Sequence, residues 1–135
     1  MTPEKLISLA ITAMDKAYAP YSRCKVGAAL LCKDGTVYTG CNIENAAYSP
    51  TNCAERTAIF KAVSEGHREF AAIAVCGGKD GVLSGTFPPC GVCRQVLREF
   101  CGDDFPIYLA DGTGNFATYT LSQLLPNSFQ ADLHL

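Results

Sequence analysis

The sequence lacks the features typical of membrane proteins and of proteins that grip nucleic acids. None of its apolar runs approaches the roughly 20 residues that a helix needs to span a bilayer. Its first five residues lack the charged and then apolar pattern of a secretory signal. Basic residues are not in excess, since 11 against 13 acidic residues give a formal net charge of −2, which disfavours a phosphate-binding basic face. We therefore expect a cytoplasmic protein with neither a nucleic-acid partner nor a membrane partner.

Repeats, linkers and low-complexity segments are also lacking, and 135 residues suit one domain spanning 1–135. Apolar spacing and cap signals predict helices over 2–17, 53–65, 90–100 and 121–125. Apolar runs between turn signals predict strands over 26–32, 36–41, 70–76, 105–110 and 116–120, the third of them central in the sheet. The stretch 77–89 is rich in glycine and proline and is expected to be a loop. Strands alternating with helices predict an α/β fold, a three-layer α/β/α arrangement around a mixed sheet of about five strands.

Eight cysteines are the unusual feature of the composition. Because this chain is long enough to build a core without disulfides, free thiols or metal ligands are the better interpretation. Cys53, Cys90 and Cys93 stand at the predicted starts of two helices, where unpaired N–H groups and the helix dipole favour thiolates. Three thiolates suit Zn²⁺, which prefers four tetrahedral ligands, and the fourth position then stays open for water. The pattern predicts one catalytic zinc ion per chain.

Two charged residues follow the first of these cysteines. Glu55 lies two positions past Cys53, where it is poorly placed as a fourth ligand but can reach the open position and move protons there. Arg56 is assigned, as a hypothesis, the neutralisation of the negative charge that three thiolates bring to the metal. Without the zinc pattern, Glu55 would be interpreted as an ordinary carboxylate in the first turn of a helix, and Arg56 as a partner in a surface ion pair.

The segment Cys-Ala-Glu-Arg at 53–56, combined with Pro-Cys-x-x-Cys at 89–93, resembles the zinc-dependent nucleoside deaminases. The segments 18–22, 26–30, 40–48 and 124–129 narrow the resemblance to the small homotetrameric cytidine deaminases. This resemblance implies hydrolysis of cytidine and deoxycytidine to uridine and deoxyuridine plus ammonia, in pyrimidine salvage. It implies that the three cysteines hold the zinc ion. It also implies that Glu55 protonates N3 of the pyrimidine and then carries a proton to the leaving amino group.

The resemblance assigns further residues to the nucleoside substrate. Asn42 and Glu44 match positions that hold the ribose hydroxyls, and Ala54 lies beside Glu55 within the motif. Three more match positions that approach the substrate from neighbouring subunits: Ala46, Tyr48 and Phe129. The resemblance therefore implies a homotetramer whose active sites are shared between subunits.

Cys24 departs from the family pattern. The family usually has an aromatic residue at this position, packed on the pyrimidine, and this sequence has a thiol. The thiol gives up most of that contact area and about 1 kcal/mol of aromatic pairing. We expect nucleoside affinity or base preference to differ from the family norm.

Other interpretations stay open at this level. The substrate could be a different aminopyrimidine nucleoside, such as an antibiotic, or the chain could be a zinc-stabilised binding module without activity. A structural four-cysteine site would need Cys41 or Cys101 as its fourth ligand. The two histidines, His67 after a helix end and His134 near the C-terminus, are expected to be solvated and not to be ligands.

Overall fold

The computed structural model describes residues 1–135, with the exception of the side chain of His134. Its helices and strands follow the chain in the order α1 (Pro3–Met14), β1 (Cys24–Cys32), β2 (Val37–Cys41), α2 (Ala54–Ser64), β3 (Phe70–Lys79), α3 (Gly91–Phe100), β4 (Pro106–Ala110), β5 (Phe116–Thr120), α4 (Leu121–Leu124) and α5 (Ala131–His134). The sequence pattern had predicted all of these elements except α5, a short helix at the C-terminus. None of the described helices combines the length and the apolar character that crossing a membrane requires.

The five strands form one mixed sheet in the order β2-β1-β3-β4-β5. Only β3 and β4 run parallel, while the other neighbouring pairs are antiparallel. The α/β fold and the central place of β3 are therefore confirmed. The almost unbroken apolar character of β3 reflects its burial on both faces of the sheet.

Helices cover both faces of the sheet because alternate residues of each central strand point to opposite sides. On one face Leu30 and Ile73 pack in the same apolar cluster as Ile59 of α2 and Leu97 of α3. The other face carries smaller side chains, including alanines of β1 and β3, and packs against α1. The helix α1 begins where Thr2 accepts a hydrogen bond from the Lys5 N–H at 3.2 Å.

The strand β3 is longer than the sequence pattern predicted, and the prediction of a loop over 77–89 is wrong for residues 77–79. A Cβ at Gly77 would lie 2.7 Å from Cγ of Phe87, and one at Gly78 would lie 1.7 Å from the carbonyl oxygen of Val82. These glycines therefore allow the following loop to fold back onto the strand. Such close approach is a recognised use of glycine within strands.

Gly40 of β2 lies directly against the first turns of α2, the helix that carries Glu55. A Cβ at Gly40 would approach the carbonyl oxygen of Ala54 to 2.4 Å and the nitrogen of Ala58 to 2.6 Å. Because both are helix backbone atoms, we expect Gly40→Ala to lower the free energy of unfolding by about 3 kcal/mol. Chemical denaturation measures this, with Gly102→Ala as the control, since a Cβ there meets nothing within 4 Å. Equal stability of the two variants would contradict the close packing of β2 on α2.

Candidate functional site

The helices α2 and α3 both begin at a cysteine. Cys53 is the N-cap of α2 and Cys90 is the N-cap of α3, each with extended backbone and neither with a side chain that caps its helix. Cys93 lies in the first turn of α3. The positive ends of two helix dipoles therefore meet at one group of three sulfur atoms, an environment that favours negative charge.

The distances among the sulfur atoms suit a zinc ion. The Sγ atom of Cys90 lies 3.7 Å from that of Cys53 and 3.6 Å from that of Cys93, and all three atoms lie within 4.8 Å of one another. Tetrahedral zinc with bonds of about 2.3 Å places its sulfur ligands ~3.8 Å apart. Within the described residues, neither Cys41 nor Cys101 belongs to this cluster. The donor set thus fits a three-thiolate site with a free fourth position.

The thiols of Cys53 and Cys93 differ in pKa. A hydrogen bond from the Cys93 thiol, and then one from Arg56, lowers the pKa of Cys53 well below its ordinary value. The same hydrogen bond, together with burial, raises the pKa of Cys93. The Nη2 atom of Arg56 lies 3.2 Å from Sγ of Cys53, so its charge is placed to offset a thiolate. This contact is what the hypothesis for Arg56 requires, and the role itself stays a prediction.

Glu55 lies in the first turn of α2 and is only 4% exposed. Burial raises the pKa of its carboxyl to about 7, and the neighbouring Cys53 thiolate acts in the same direction. A carboxyl with a pKa near neutrality can both accept and donate a proton under ordinary conditions. Glu55 thus has the chemistry of a proton carrier two residues away from a cysteine that can bind the metal.

Asn42 follows β2 and is bound to the neighbouring strand. Its Oδ1 atom accepts from the Val26 N–H at 2.8 Å, and its Nδ2 atom donates to the Cys24 carbonyl at 2.8 Å. The amide therefore ties the loop that follows β2 to the beginning of β1. One N–H of the amide stays available for a ligand, and the predicted contact with ribose stays a prediction.

Glu44 is held by residues to which the sequence interpretation assigned no role. Its carboxylate accepts from the N–H groups of Tyr21 and Ser22 at 2.9 and 3.1 Å, and from the Ser22 hydroxyl. The Ser22 hydroxyl contributes most to lowering the pKa of Glu44. These residues, with Tyr48 and Thr51, line an open cavity of about 430 Å³. The only signal for Ser22 was its place in the family segment 18–22.

The other predicted substrate residues differ in exposure. Ala54 is completely buried and Cys24 is half-buried at the start of β1. Ala46 is exposed, as are Tyr48 at 72% and Phe129 at 55%. Exposure of this kind suits residues that face a neighbouring subunit, and their roles stay predictions.

Arg94 connects the cysteine loop to the C-terminal part of the chain, a contact that the sequence interpretation missed. Its Nε atom donates to the Pro89 carbonyl at 2.7 Å and its Nη1 atom to the Leu124 carbonyl at 2.6 Å. Pro89 immediately precedes Cys90. No local pattern reveals this contact, because the two carbonyls come from separate parts of the chain.

Comparisons with known proteins agree with this geometry. Residues 1–109 match the family model described as the cytidine and deoxycytidylate deaminase zinc-binding region. A cytidine deaminase of Sporosarcina psychrophila is 53% identical over 132 residues, covering 98% of this chain and 94% of its own. One from Halalkalibacterium halodurans is 52% identical, covering 98% and 97%. The crystal structure of cytidine deaminase from Burkholderia pseudomallei superposes with a TM-score of 0.88 at 48% identity, covering 96% of this chain and all of that one.

Proposed function

The chain belongs to the cytidine and deoxycytidylate deaminase family, and from this membership we propose that it hydrolyses cytidine and deoxycytidine to uridine and deoxyuridine with release of ammonia. The observation that carries the proposal is a cluster of three thiols at two helix starts, with a buried carboxyl, Glu55, in the first turn of one of these helices and in electrostatic interaction with Cys53 and Cys93. A structural zinc site closed by four protein ligands has no need of such a carboxyl, because it has no open position for water. Pyrimidine salvage is the usual context of this reaction.

Zinc is the cofactor, and Cys53, Cys90 and Cys93 are the residues that would hold it. When bound, zinc supplies Lewis acidity, which lowers the pKa of a coordinated water and so provides a nucleophile near neutral pH. Arg56 donates to Cys53 and offsets part of the thiolate charge, which would otherwise oppose this effect. The helix dipoles of α2 and α3 act in the same direction as Arg56.

Glu55 moves the protons of the reaction. Attack of water at C4 requires a proton to reach N3 of the pyrimidine, and expulsion of ammonia requires a second proton on the amino group. A buried carboxyl whose pKa lies at about 7 can take up and release both protons without a large free-energy difference. We assign both transfers to Glu55.

Asn42 and Glu44 are proposed to bind hydroxyl groups of the sugar. Glu44 keeps its negative charge because hydrogen bonds from Ser22 and Tyr21 lower its pKa, and an ionised carboxylate accepts strongly from sugar hydroxyls. The open cavity beside Glu44 gives the sugar a place to enter. Deaminases of free bases do not need such a carboxylate, so this pair favours a nucleoside as substrate.

The test is turnover of cytidine to uridine, followed by ultraviolet absorbance, on a sample whose zinc content is measured. Turnover by zinc-loaded protein, lost on chelation and restored by zinc, supports the proposal. Bound zinc with no turnover of cytidine or deoxycytidine overturns it. Other aminopyrimidine nucleosides would then be assayed, and failure with all of them would favour a binding module.

Cys24 offers a smaller test of the substrate pocket. We expect Cys24→Phe to lower KM for cytidine about fivefold, equivalent to ~1 kcal/mol, because a ring restores aromatic packing on the pyrimidine. The kcat value should change little, since the ring does not touch the reacting atoms. Cys24→Ala is the matched control, because it removes the thiol without adding a ring. A KM for Cys24→Phe equal to or above that of the control would contradict the contact.

We further propose that the enzyme is a homotetramer with shared sites. The exposed faces of α2 and α3 carry Phe60 at 49% and Val92 at 56%, and these side chains line an open groove of about 470 Å³. Apolar surface of this kind marks interaction sites in proteins of this size. Tyr48 and Phe129 are exposed as well, as residues that complete a neighbour's site must be in an isolated chain.

Subunit exchange tests the shared sites. Glu55→Ala and Phe129→Ala variants should each be poorly active, and mixing them should restore part of the turnover because hybrid oligomers contain sites with both residues intact. A mixture no more active than its two components would contradict shared sites. Light scattering on the wild-type protein reports the number of subunits directly.

A cytoplasmic location is also proposed. All eight cysteines are free thiols in the structure, and the zinc site needs three of them reduced. A reducing compartment keeps such thiols from forming disulfides.

A further inference from the structure

A second group of metal-ligating side chains lies at the opposite end of α2 from Cys53. Cys32 ends β1, Asp34 lies in the turn between β1 and β2, and His67 follows α2. One ligand atom from each of the three residues lies within 4.8 Å of the other two. A helix of this length rises about 16 Å, so the group is separate from the catalytic cluster.

His67 is not the solvated residue that the sequence pattern predicted, and that prediction is wrong. Its side chain is 25% exposed, its Nε2 atom lies 3.2 Å from Oδ2 of Asp34, and its Nδ1 atom lies 3.2 Å from the Tyr38 hydroxyl. The Tyr38 ring also packs edge-on against the imidazole at 5.2 Å. A histidine that binds metal through one nitrogen usually donates from the other to a fixed partner. Tyr38 is such a partner, and it leaves Nε2 directed toward Asp34.

A hydrogen bond to one of its carboxylate oxygens also orients Asp34. Its Oδ1 atom accepts from the Thr36 N–H at 2.9 Å, which leaves Oδ2 facing His67. The carboxylate is 59% exposed, so water and ions reach the group from this side. His67 and Asp34 form a hydrogen-bonded pair that needs no sulfur atom. A third metal-ligating side chain nevertheless lies beside this pair.

That third ligand is Cys32, whose side chain is buried at 1% exposure. Its backbone is held by the Thr36 carbonyl at 2.8 Å and by the Gly35 N–H at 3.0 Å, so the thiol is fixed relative to the turn. Burial, and then the Asp34 carboxylate, raise the pKa of the thiol, which therefore keeps its proton until a cation displaces it.

We propose that Cys32, Asp34 and His67 bind a second Zn²⁺ ion, with a water molecule as the fourth ligand on the exposed side. A thiolate, an imidazole and a carboxylate form a donor set that suits zinc and disfavours Mg²⁺ and Ca²⁺, which take oxygen ligands. Two anionic ligands balance the charge of the ion, and the displaced thiol proton goes to solvent. The ion would cross-link the turn between β1 and β2 to the connection between α2 and β3.

Zinc stoichiometry tests the second site in the full-length protein. Wild type is dialysed against Zn²⁺ and then metal-free buffer, and bound zinc is measured by mass spectrometry. We expect two ions per chain in wild type and one in His67→Ala and in Asp34→Asn. The cytidine turnover of both variants should remain within about twofold of wild type, because neither residue belongs to the catalytic cluster. Asp104→Asn, a change at an exposed carboxyl outside both clusters, should keep two ions.

Two outcomes would overturn the second site: one ion per chain in wild type, or an unchanged zinc count in both variants. Added zinc should also raise the melting temperature of wild type more than that of His67→Ala, and equal shifts would count against the cross-link. The zinc count does not depend on catalysis. If no protein in the series turns over cytidine, the proposed function fails while the second site is still judged by its stoichiometry.

Discussion

Replacement of Glu55 by alanine is expected to abolish cytidine turnover while the chain keeps its zinc and its fold. The reaction needs one proton on N3 and another on the leaving amino group, and Glu55 is the buried carboxyl in the first turn of the helix that begins at Cys53. Loss of a positioned general acid and base lowers rates by on the order of 10²–10⁴-fold, and Glu55 is proposed to serve in both steps. Turnover by ultraviolet absorbance and zinc by mass spectrometry are measured on the same preparation.

The control for this variant is Glu55→Gln, which keeps the shape of the buried side chain but carries no transferable acid proton. Because its volume is unchanged, its free energy of unfolding should lie within about 1 kcal/mol of the wild-type value. Its kcat should fall as steeply as that of Glu55→Ala. Wild-type turnover in either variant would falsify the assignment of Glu55 as the proton carrier.

Removal of one zinc ligand should have the second large effect. In Cys90→Ala we expect the catalytic zinc to be lost and cytidine turnover to disappear with it, because two thiolates do not hold a metal that three hold. Cys90 is exposed, so its replacement leaves little cavity in the core. The measurement is zinc content after dialysis, which should fall by one ion per chain, together with turnover before and after zinc is added back.

Cys41→Ala is the matched control for this experiment. Cys41 is a half-buried thiol outside both metal-ligating groups of the described residues. Its replacement should leave zinc content and turnover at wild-type levels. A Cys90→Ala protein that keeps its full zinc content would refute the ligand set, whereas full zinc loss in the control as well would point to a general effect of removing thiols.

The elements that the sequence predicted best are those with local signals. Thr2, as the N-cap, predicts the helix that begins at Pro3. The apolar run of β3 predicts a central strand, since only such a strand is buried on both faces. The helices that start at Cys53 and Cys90 were predicted from apolar spacing and from the turn residues around them, since neither cysteine side chain caps its helix. Each of these signals depends on a few neighbouring residues, so it can be recognised in the sequence before the tertiary structure is known.

The features that the sequence did not reveal depend on contacts between distant residues. The sequence predicted Gly77 and Gly78 to be loop residues. They lie in β3 because a later segment of the chain packs closely against them, and a local sequence pattern does not show this contact. The sequence predicted a solvated His67 because its partners, Tyr38 and Asp34, come from the distant hairpin of β1 and β2. The contacts of Arg94 with two carbonyls were likewise absent from any local pattern.

The sequence by itself determined the chemistry of this protein: which thiols can bind zinc, which carboxyl stands beside them, and which family pattern they complete. Residue types and their spacing along two helix starts are enough for that, because helix geometry is regular. Only the tertiary structure decided how the sulfur atoms meet, how far Glu55 is buried, and that Cys32, Asp34 and His67 gather at the other end of α2. Those outcomes depend on the packing of α2 and α3 against the sheet and on strand register, which no short segment of the chain specifies.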